Sequence, residues 1–226
     1  MGINSLTRWG FLAAALLLVF EVRATSIRID INTAALGLNG SNWDLAFDLT
    51  RGALETPTNT ATVSGYAMTG GSLTGTPPLF PSSGNVTGNL PGNVTLDTGD
   101  PINPSFFNEY NVNANLGSLI SFVLDLTDNK TSGLDPDTFA LFLVNPTTGD
   151  TFPTADPTGA FFVYSIGNAN QPATFCPITA PCVVVSPVVV AAPEPGGLAL
   201  VAAALLALGI VRLRPRKLVS TAPLGT

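Results

Sequence analysis

Residues 43–50 read Trp-Asp-Leu-Ala-Phe-Asp-Leu-Thr, and this octapeptide is the clearest indication of the fold. Its apolar and polar positions alternate, with Trp43, Leu45, Phe47 and Leu49 set against Asp44, Ala46, Asp48 and Thr50. A period of two sends successive side chains to opposite faces of a β-strand. The octapeptide therefore predicts a strand with one apolar face and one polar face.

Further strands are predicted on both sides of this octapeptide. Upstream, Ile27, Ile29 and Ile31 alternate with Arg28 and Asp30. Downstream, three short β-branched and aromatic runs indicate more deeply buried strands, at residues 119–126, 139–144 and 160–166. Gly, Pro, Asn and Asp separate these runs, as turns require.

One short sequence occurs twice, which predicts a hairpin or two short strands. Gly84-Asn85-Val86-Thr87 recurs eight residues later as Gly92-Asn93-Val94-Thr95, and two copies are too few for a solenoid. No stretch shows a helical period. We therefore predict an all-β ectodomain at 25–171, an antiparallel β-sandwich of jelly-roll or immunoglobulin-like type.

Composition excludes several classes of function. Between residues 25 and 192, three basic residues stand against thirteen acidic ones, which leaves a net charge of −10. Nucleic-acid binding depends on phosphate neutralisation by Lys and Arg, so no nucleic-acid partner is expected. The sequence has no histidine. Catalysis by Ser-His-Asp or Cys-His and zinc sites containing histidine are therefore excluded.

The N-terminus has the plan of a signal peptide. Arg8 precedes an apolar run at 9–20, and Val22-Arg23-Ala24 places small or modest side chains before Thr25. We predict a signal helix in residues 1–24 with cleavage after Ala24. The alternative is an uncleaved anchor, but the run is short for the roughly 20 residues that span a bilayer.

The C-terminus combines three features in 25 residues. Pro193-Glu194-Pro195 is followed by an uncharged run at 197–211, and a basic cluster then comes at Arg212, Arg214, Arg216 and Lys217. This order predicts a transmembrane helix that ends in a cytoplasmic basic stop, with the acidic ectodomain on the other side of the inner membrane. A short tail, residues 218–226, follows.

Residues 193–217 resemble the PEP-CTERM sorting signal. That family consists of exported proteins of Gram-negative bacteria that produce exopolysaccharide. The resemblance implies an exosortase-type enzyme as partner, with processing near Pro193-Glu194-Pro195. It also implies an inner-membrane anchor before processing, and the cell surface or extracellular matrix afterwards. The tail at 218–226 is a departure, because members commonly end soon after the arginines.

The segment 172–192 is rich in Cys, Pro and Val. Cys176 and Cys182 are expected to form a disulfide in an exported protein, with free thiols as the alternative. A zinc site is disfavoured because two thiols lack histidine partners. Residues 183–192 are interpreted either as a last strand or as a stalk.

Acidic residues suggest two kinds of candidate site. The densest set offers the oxygen ligands that calcium takes, and its members are Asp125, Asp128, Asn129, Asp135 and Asp137. It is the candidate for a calcium cofactor site, and a solvated loop is the alternative. Glycosidases need two carboxyl groups roughly 5 to 10 Å apart. Asp97, Asp100 and Glu109 are the conceivable members, and nothing in the sequence pairs them.

A cluster of aromatic and amide residues is a candidate sugar platform. Phe106, Phe107 and Tyr110 supply the rings, and Asn103, Asn108, Glu109 and Asn111 flank them. The alternative is a buried hydrophobic corner.

Three functions follow from these observations. The leading hypothesis is an exported, non-enzymatic surface or matrix protein associated with exopolysaccharide. The second is a carbohydrate-binding module, assisted by calcium. The third is a secreted carboxylate hydrolase.

Overall fold

All regular structure in the described part of the chain is β-strand. The computed structural model describes residues 23–52, 58–99, 106–129, 135–167, 172–177 and 182–188. Its strands are β1 (Arg23–Ile31), β2 (Asn42–Thr50), β3 (Thr60–Thr69), β4 (Ser72–Leu73), β5 (Val86–Gly88), β6 (Val94–Asp97), β7 (Phe107–Asn115), β8 (Leu119–Asp128), β9 (Asp137–Val144), β10 (Phe162–Ile166), β11 (Pro172–Thr174) and β12 (Val183–Pro187). The all-β prediction is confirmed for these residues.

Both predicted terminal helices lie outside the described residues. The exceptions in the signal segment are Arg23 and Ala24, whose backbone already belongs to β1. Within the described ranges, no helix has the length and apolar character needed to cross a membrane.

The strands form two antiparallel sheets. Sheet 1 has the order β12-β1-β8-β3-β6-β5, and sheet 2 has the order β11-β10-β9-β2-β7-β4. The pairs are nested, because β1 lies beside β8, β2 beside β7 and β3 beside β6. Strands β1 to β5 alternate between the sheets, and so do β6 to β9, which return along the first four strands; β9, β10 and β11 then lie side by side in sheet 2.

One hydrophobic core fills the space between the sheets. Phe47 of sheet 2 meets Phe122 of sheet 1 edge-on, with ring centroids 5.4 Å apart. In β1, the three isoleucines are buried whereas Arg28 is exposed, so the predicted alternation is confirmed there. The predicted hairpin is also confirmed, since β5 pairs with β6 around Leu90-Pro91.

Strand β2 keeps its alternation, but its polar face is covered. Asp44 is as deeply buried as the core, and Asp48 is also buried. A cover loop, residues 74–83, lies across this face of sheet 2. The Leu79 N–H donates to Asp44 Oδ2 at 2.7 Å, and Ser82 Oγ accepts from the Asn111 N–H at 3.0 Å. The polar face of a strand can therefore be covered by a loop rather than exposed to solvent.

The segment around the two cysteines belongs to the sandwich. Strand β11 extends sheet 2 and β12 extends sheet 1 beside β1, so residues 183–187 form a last strand. A disulfide joins Cys176 to Cys182 between these two edges. The Cys182 carbonyl also accepts from the Asn32 N–H at 2.8 Å. The described sandwich thus continues to Val188, beyond the predicted boundary at 171.

Candidate functional site

A cleft opens on the outer face of sheet 2, the face that the cover loop partly shields. Its volume is about 200 Å³. Three adjacent strands form the floor, and the cover loop and a side loop (residues 145–151) form the walls. The lining residues are Ala46, Asp48, Phe80, Glu109, Phe142, Val144, Gly149 and Thr151.

Strand register places two carboxyl groups side by side in the cleft. Asp48 of β2 lies directly opposite Glu109 of β7. Opposite residues of an antiparallel pair have Cβ atoms roughly 4.5 to 5.5 Å apart. Asp48 and Glu109, named here the acid pair, therefore project from the same face as neighbours.

The surroundings of Asp48 disfavour the ionised form of its carboxyl group. Asp48 is only 8% exposed, and its Oδ1 atom has no hydrogen-bond partner among the described residues. Burial, and secondly the negative charge of Glu109, raises the pKa of Asp48 to about 8. Near neutral pH the cleft thus presents a protonated carboxylic acid beside a second carboxyl group.

Asn111 adds an amide with unused hydrogen-bonding capacity. It lies two residues after Glu109 on the same face of β7, opposite Ala46 of the cleft floor. It is 6% exposed, and neither its Oδ1 nor its Nδ2 has a hydrogen-bond partner within the ranges that the structure describes. A buried polar group left unpaired costs about 1–3 kcal/mol. Such a group beside a cleft points to a ligand or water that completes its bonding.

Two exposed phenylalanine rings flank the acid pair. Phe80 is 47% exposed, and Phe107 is 40% exposed. Phe107 lies opposite Thr50, so it shares the outward face of β7 with Glu109 at about 7 Å along the strand. Phe80 covers the other end, near Val144 and Gly149.

Gly149 allows the Phe80 ring to approach the side loop. Its φ is +79°, and a Cβ added there would lie 3.1 Å from the Phe80 ring. The turn conformation and the ring contact both favour glycine at this position.

A second hollow, of larger volume, lies at the β5 edge of sheet 1. It has a volume of about 500 Å³ and is lined by Gly84, Asn85, Val86, Thr87, Thr95, Asp97 and Gly99. No aromatic ring and no unpaired buried polar atom is among these lining residues. The sheet 2 cleft is therefore the better candidate site.

No known protein family, curated protein or solved structure matches this chain.

The predicted calcium ligands lie on different sheets. Asp125 is on the outer face of sheet 1 beside Ser64, whereas Asp137 begins β9 in sheet 2. The carboxyl group of Asp137 is fully buried and accepts three hydrogen bonds from protein donors. Across the described ranges, no three Asp, Glu or Cys side chains are grouped to hold a metal. A calcium site remains a prediction from sequence.

The predicted sugar platform is divided between two faces. Phe107 points outward, whereas Tyr110 points into the core, where its hydroxyl accepts from the Leu90 N–H at 2.9 Å. The buried-corner alternative was wrong for Phe106, which is 64% exposed. Asn103 lies outside the described residues.

None of the carboxyl pairs predicted for a glycosidase is the pair that the structure brings together. Asp97 belongs to sheet 1 and Glu109 to sheet 2, and Asp100 lies outside the described residues. The partner of Glu109 is Asp48, which the sequence showed only as a polar position in a strand. Pairing across sixty-one positions depends on the order and register of strands, and no local pattern reports either.

Proposed function

We propose that this chain is an exported, non-enzymatic surface or extracellular-matrix protein whose sandwich binds a saccharide in the sheet 2 cleft. The acid pair and Asn111, set between two exposed phenylalanine rings, carry this proposal. Saccharides present apolar ring faces and hydroxyl-bearing edges. Aromatic rings suit the former, and carboxyl and amide groups suit the latter.

We assign the sandwich to the jelly-roll type rather than the immunoglobulin-like type. The nested pairs β1–β8, β2–β7 and β3–β6 are what a long hairpin produces when it is rolled into two sheets. The jelly roll is a fold of lectin domains, among others. This supports a binding role without requiring one, since function resides in the site.

Charge narrows the class of saccharide. The segment 25–192 has a net charge of −10, and the cleft itself contains two carboxyl groups. Like charges across an interface are costly, so an anionic polysaccharide is a poor ligand. Neutral or positively charged sugars of the exopolysaccharide are the better partners.

Catalysis by the acid pair is a weaker proposal. A protonated and an ionised carboxyl group are the two roles that glycosidases need. In those enzymes the two groups flank the scissile bond. Asp48 and Glu109 instead project side by side from neighbouring strands of one sheet face.

Export and sorting complete the proposal. The signal segment at 1–24 and the Pro193-Glu194-Pro195 signal with its basic stop would carry the sandwich across the inner membrane. An exosortase-type enzyme would then process it. The Cys176–Cys182 disulfide is compatible with such an oxidising location.

The termini of the natural protein test export and sorting. Mass spectrometry of protein from the cell envelope and from the culture medium should show a start at Thr25 and an end near Pro195. An intact chain through Thr226 in the inner membrane would contradict the sorting proposal and leave a simply anchored protein.

Saccharide binding is tested by removing the flanking rings. Phe80→Ala and Phe107→Ala should each weaken retardation in native gels that contain the host exopolysaccharide, by about 2- to 10-fold in apparent affinity. Aromatic contacts worth about 0.5–1.5 kcal/mol correspond to this range. Retardation should disappear in the double variant.

The matched control is Val184→Ala, which removes an exposed apolar side chain from the edge of sheet 1. It should leave retardation unchanged. Absence of retardation for the natural protein, or equal losses in all three single variants, would contradict saccharide binding at this cleft.

A further inference from the structure

In the part of the chain that the structure describes, no ion pair joins Asp48 or Glu109 to a basic side chain. Within the described residues, the charged group that acts on Asp48 is Glu109, which has the same sign. The side chain of Arg28 is committed to Asp30 on sheet 1, at 3.0 Å. Two carboxyl groups held side by side in a mostly buried site, one of them kept protonated while the cleft is empty, invite a cation.

The remaining walls of the cleft indicate what sort of cation fits. Ala46, Phe142 and Val144 are apolar, and Phe80 presents an aromatic ring. Oxygen-bearing side chains in the lining are limited to Asp48, Glu109 and Thr151. Calcium takes six to eight oxygens, and these three side chains supply five at most, with apolar walls on the other sides. An ammonium group on a carbon skeleton suits both the carboxyl groups and the ring, because aromatic faces attract cations.

We propose that the sheet 2 cleft recognises an amino sugar, whose protonated amine sits between the carboxyl groups of Asp48 and Glu109. The unpaired amide of Asn111 and the hydroxyl of Thr151 lie on the same side of the sheet and would receive neighbouring sugar hydroxyls. This inference rests on the proposed saccharide function and specifies its ligand.

Binding of an ammonium group has a consequence for the proton on Asp48. Burial and Glu109 hold the pKa of Asp48 at about 8 in the empty cleft. A bound cation opposes both effects and lowers that pKa, so Asp48 loses its proton to solvent. The titratable group that faces it is Glu109 from β7, whereas β9 contributes Ala140 and Phe142, and the side loop contributes Gly149 and Thr151 to the cleft.

The test compares two ligands that share the same sugar backbone but carry either a protonated amine or its neutral acetamide. The full-length chain is titrated calorimetrically at pH 6 with glucosamine oligomers and with fully N-acetylated oligomers of the same length. The amine form should bind at least about tenfold more tightly, because charge-assisted hydrogen bonds are about twice as strong as neutral ones. Repeating the titration in two buffers of different ionisation enthalpy should show proton release.

Two variants and one control locate the effect. Glu109→Gln and Asp48→Asn should each abolish the preference for the amine form, and Asp48→Asn should abolish proton release. Asp97→Asn removes a carboxyl group from the hollow on sheet 1 and should change neither result.

Other outcomes overturn the inference in distinguishable ways. Equal affinity for both oligomers would overturn the amine assignment and leave saccharide binding standing. Calcium chloride that raises the melting temperature, with the rise lost in Glu109→Gln, would assign the acid pair to a metal instead. Failure of both oligomers would overturn the inference, and the gel experiment with host exopolysaccharide then decides whether the broader function fails too.

Discussion

Asparagine at position 48 is expected to make the protein more stable, and the gain should grow with pH. The pKa of Asp48 is about 8 in the folded protein, against about 3.9 for an unperturbed aspartate. A carboxyl pKa raised by folding means that the unfolded chain releases the proton first. The free energy of unfolding is then lost as pH rises from about 4 to about 8, at up to about 1.4 kcal/mol per pH unit.

Urea unfolding of the full-length chain at pH 5 and pH 8 measures this effect. The advantage of Asp48→Asn over the natural protein should increase by up to about 4 kcal/mol between these two pH values. Asp125→Asn, on the outer face of sheet 1, controls for removing one negative charge from an acidic protein. Parallel pH profiles for the natural protein and Asp48→Asn would contradict the buried acid.

The loss of folding stability caused by Asp48 is evidence for a role in ligand binding. A buried carboxyl group with an unpaired oxygen, facing a second carboxyl, weakens the sandwich that contains it. Natural proteins accept such losses at functional sites, where binding or catalysis needs the group. A neutral residue that stabilises the fold and abolishes ligand recognition is the result expected of a binding residue.

The same substitution at position 137 is expected to have the opposite effect. Asp137 is fully buried, and its carboxyl group accepts from the Gly52 N–H at 2.8 Å, the Asn59 Nδ2 at 3.1 Å and the Thr98 hydroxyl at 3.0 Å. Asparagine keeps the shape but turns an N–H₂ group toward these donors. Hydrogen bonds to charged groups contribute about 1.5–3 kcal/mol each, so Asp137→Asn should lose about 3–5 kcal/mol.

The position of Asp137 explains why the loss is global. Its partners come from separate segments, at the end of β2, the start of β3 and the end of β6. Asn59 continues the network, since its Oδ1 accepts from the Asn129 N–H at 2.8 Å. One carboxyl group therefore joins strands of both sheets at one end of the sandwich.

Thermal melting and urea unfolding measure the loss at position 137. A fall of about 10 °C in the melting temperature is expected for a chain of this size. Asp48→Asn is the matched control, because the chemical change is identical and the predicted sign is opposite. If the Asp137→Asn variant were as stable as the natural protein, the hydrogen-bond network around Asp137 would contribute little to folding stability.

The strands themselves were largely predictable, because their signals are local. Alternation over 43–50 and the isoleucines at 27, 29 and 31 predicted β2 and β1, and the buried runs predicted β8, β9 and β10. Strand β7 was missed as a strand, since Asn108, Asn111 and Asn113 interrupt its hydrophobic pattern. The three asparagine side chains are buried, either in hydrogen bonds to neighbouring segments or beside the cleft. A hydrophobicity pattern does not detect buried polar residues of this kind.

The candidate site was not predictable, because it depends on long-range register. Asp48 and Glu109 meet only through the pairing of β2 with β7, and Phe80 reaches them from a loop with no regular structure. Conversely, Asp125 and Asp137 are close in sequence yet belong to different sheets. Nearness along the chain was therefore a poor guide to the acidic clusters.

The central claim is that saccharide binds on the outer face of sheet 2, and nuclear magnetic resonance tests it most directly. Backbone amide shifts of the isotope-labelled natural protein are followed while host exopolysaccharide fragments are added. The account predicts that the largest changes cluster at Asp48, Glu109, Asn111, Phe80 and Thr151. Changes centred on the sheet 1 hollow around Thr87 and Thr95, or no changes at all, would contradict it.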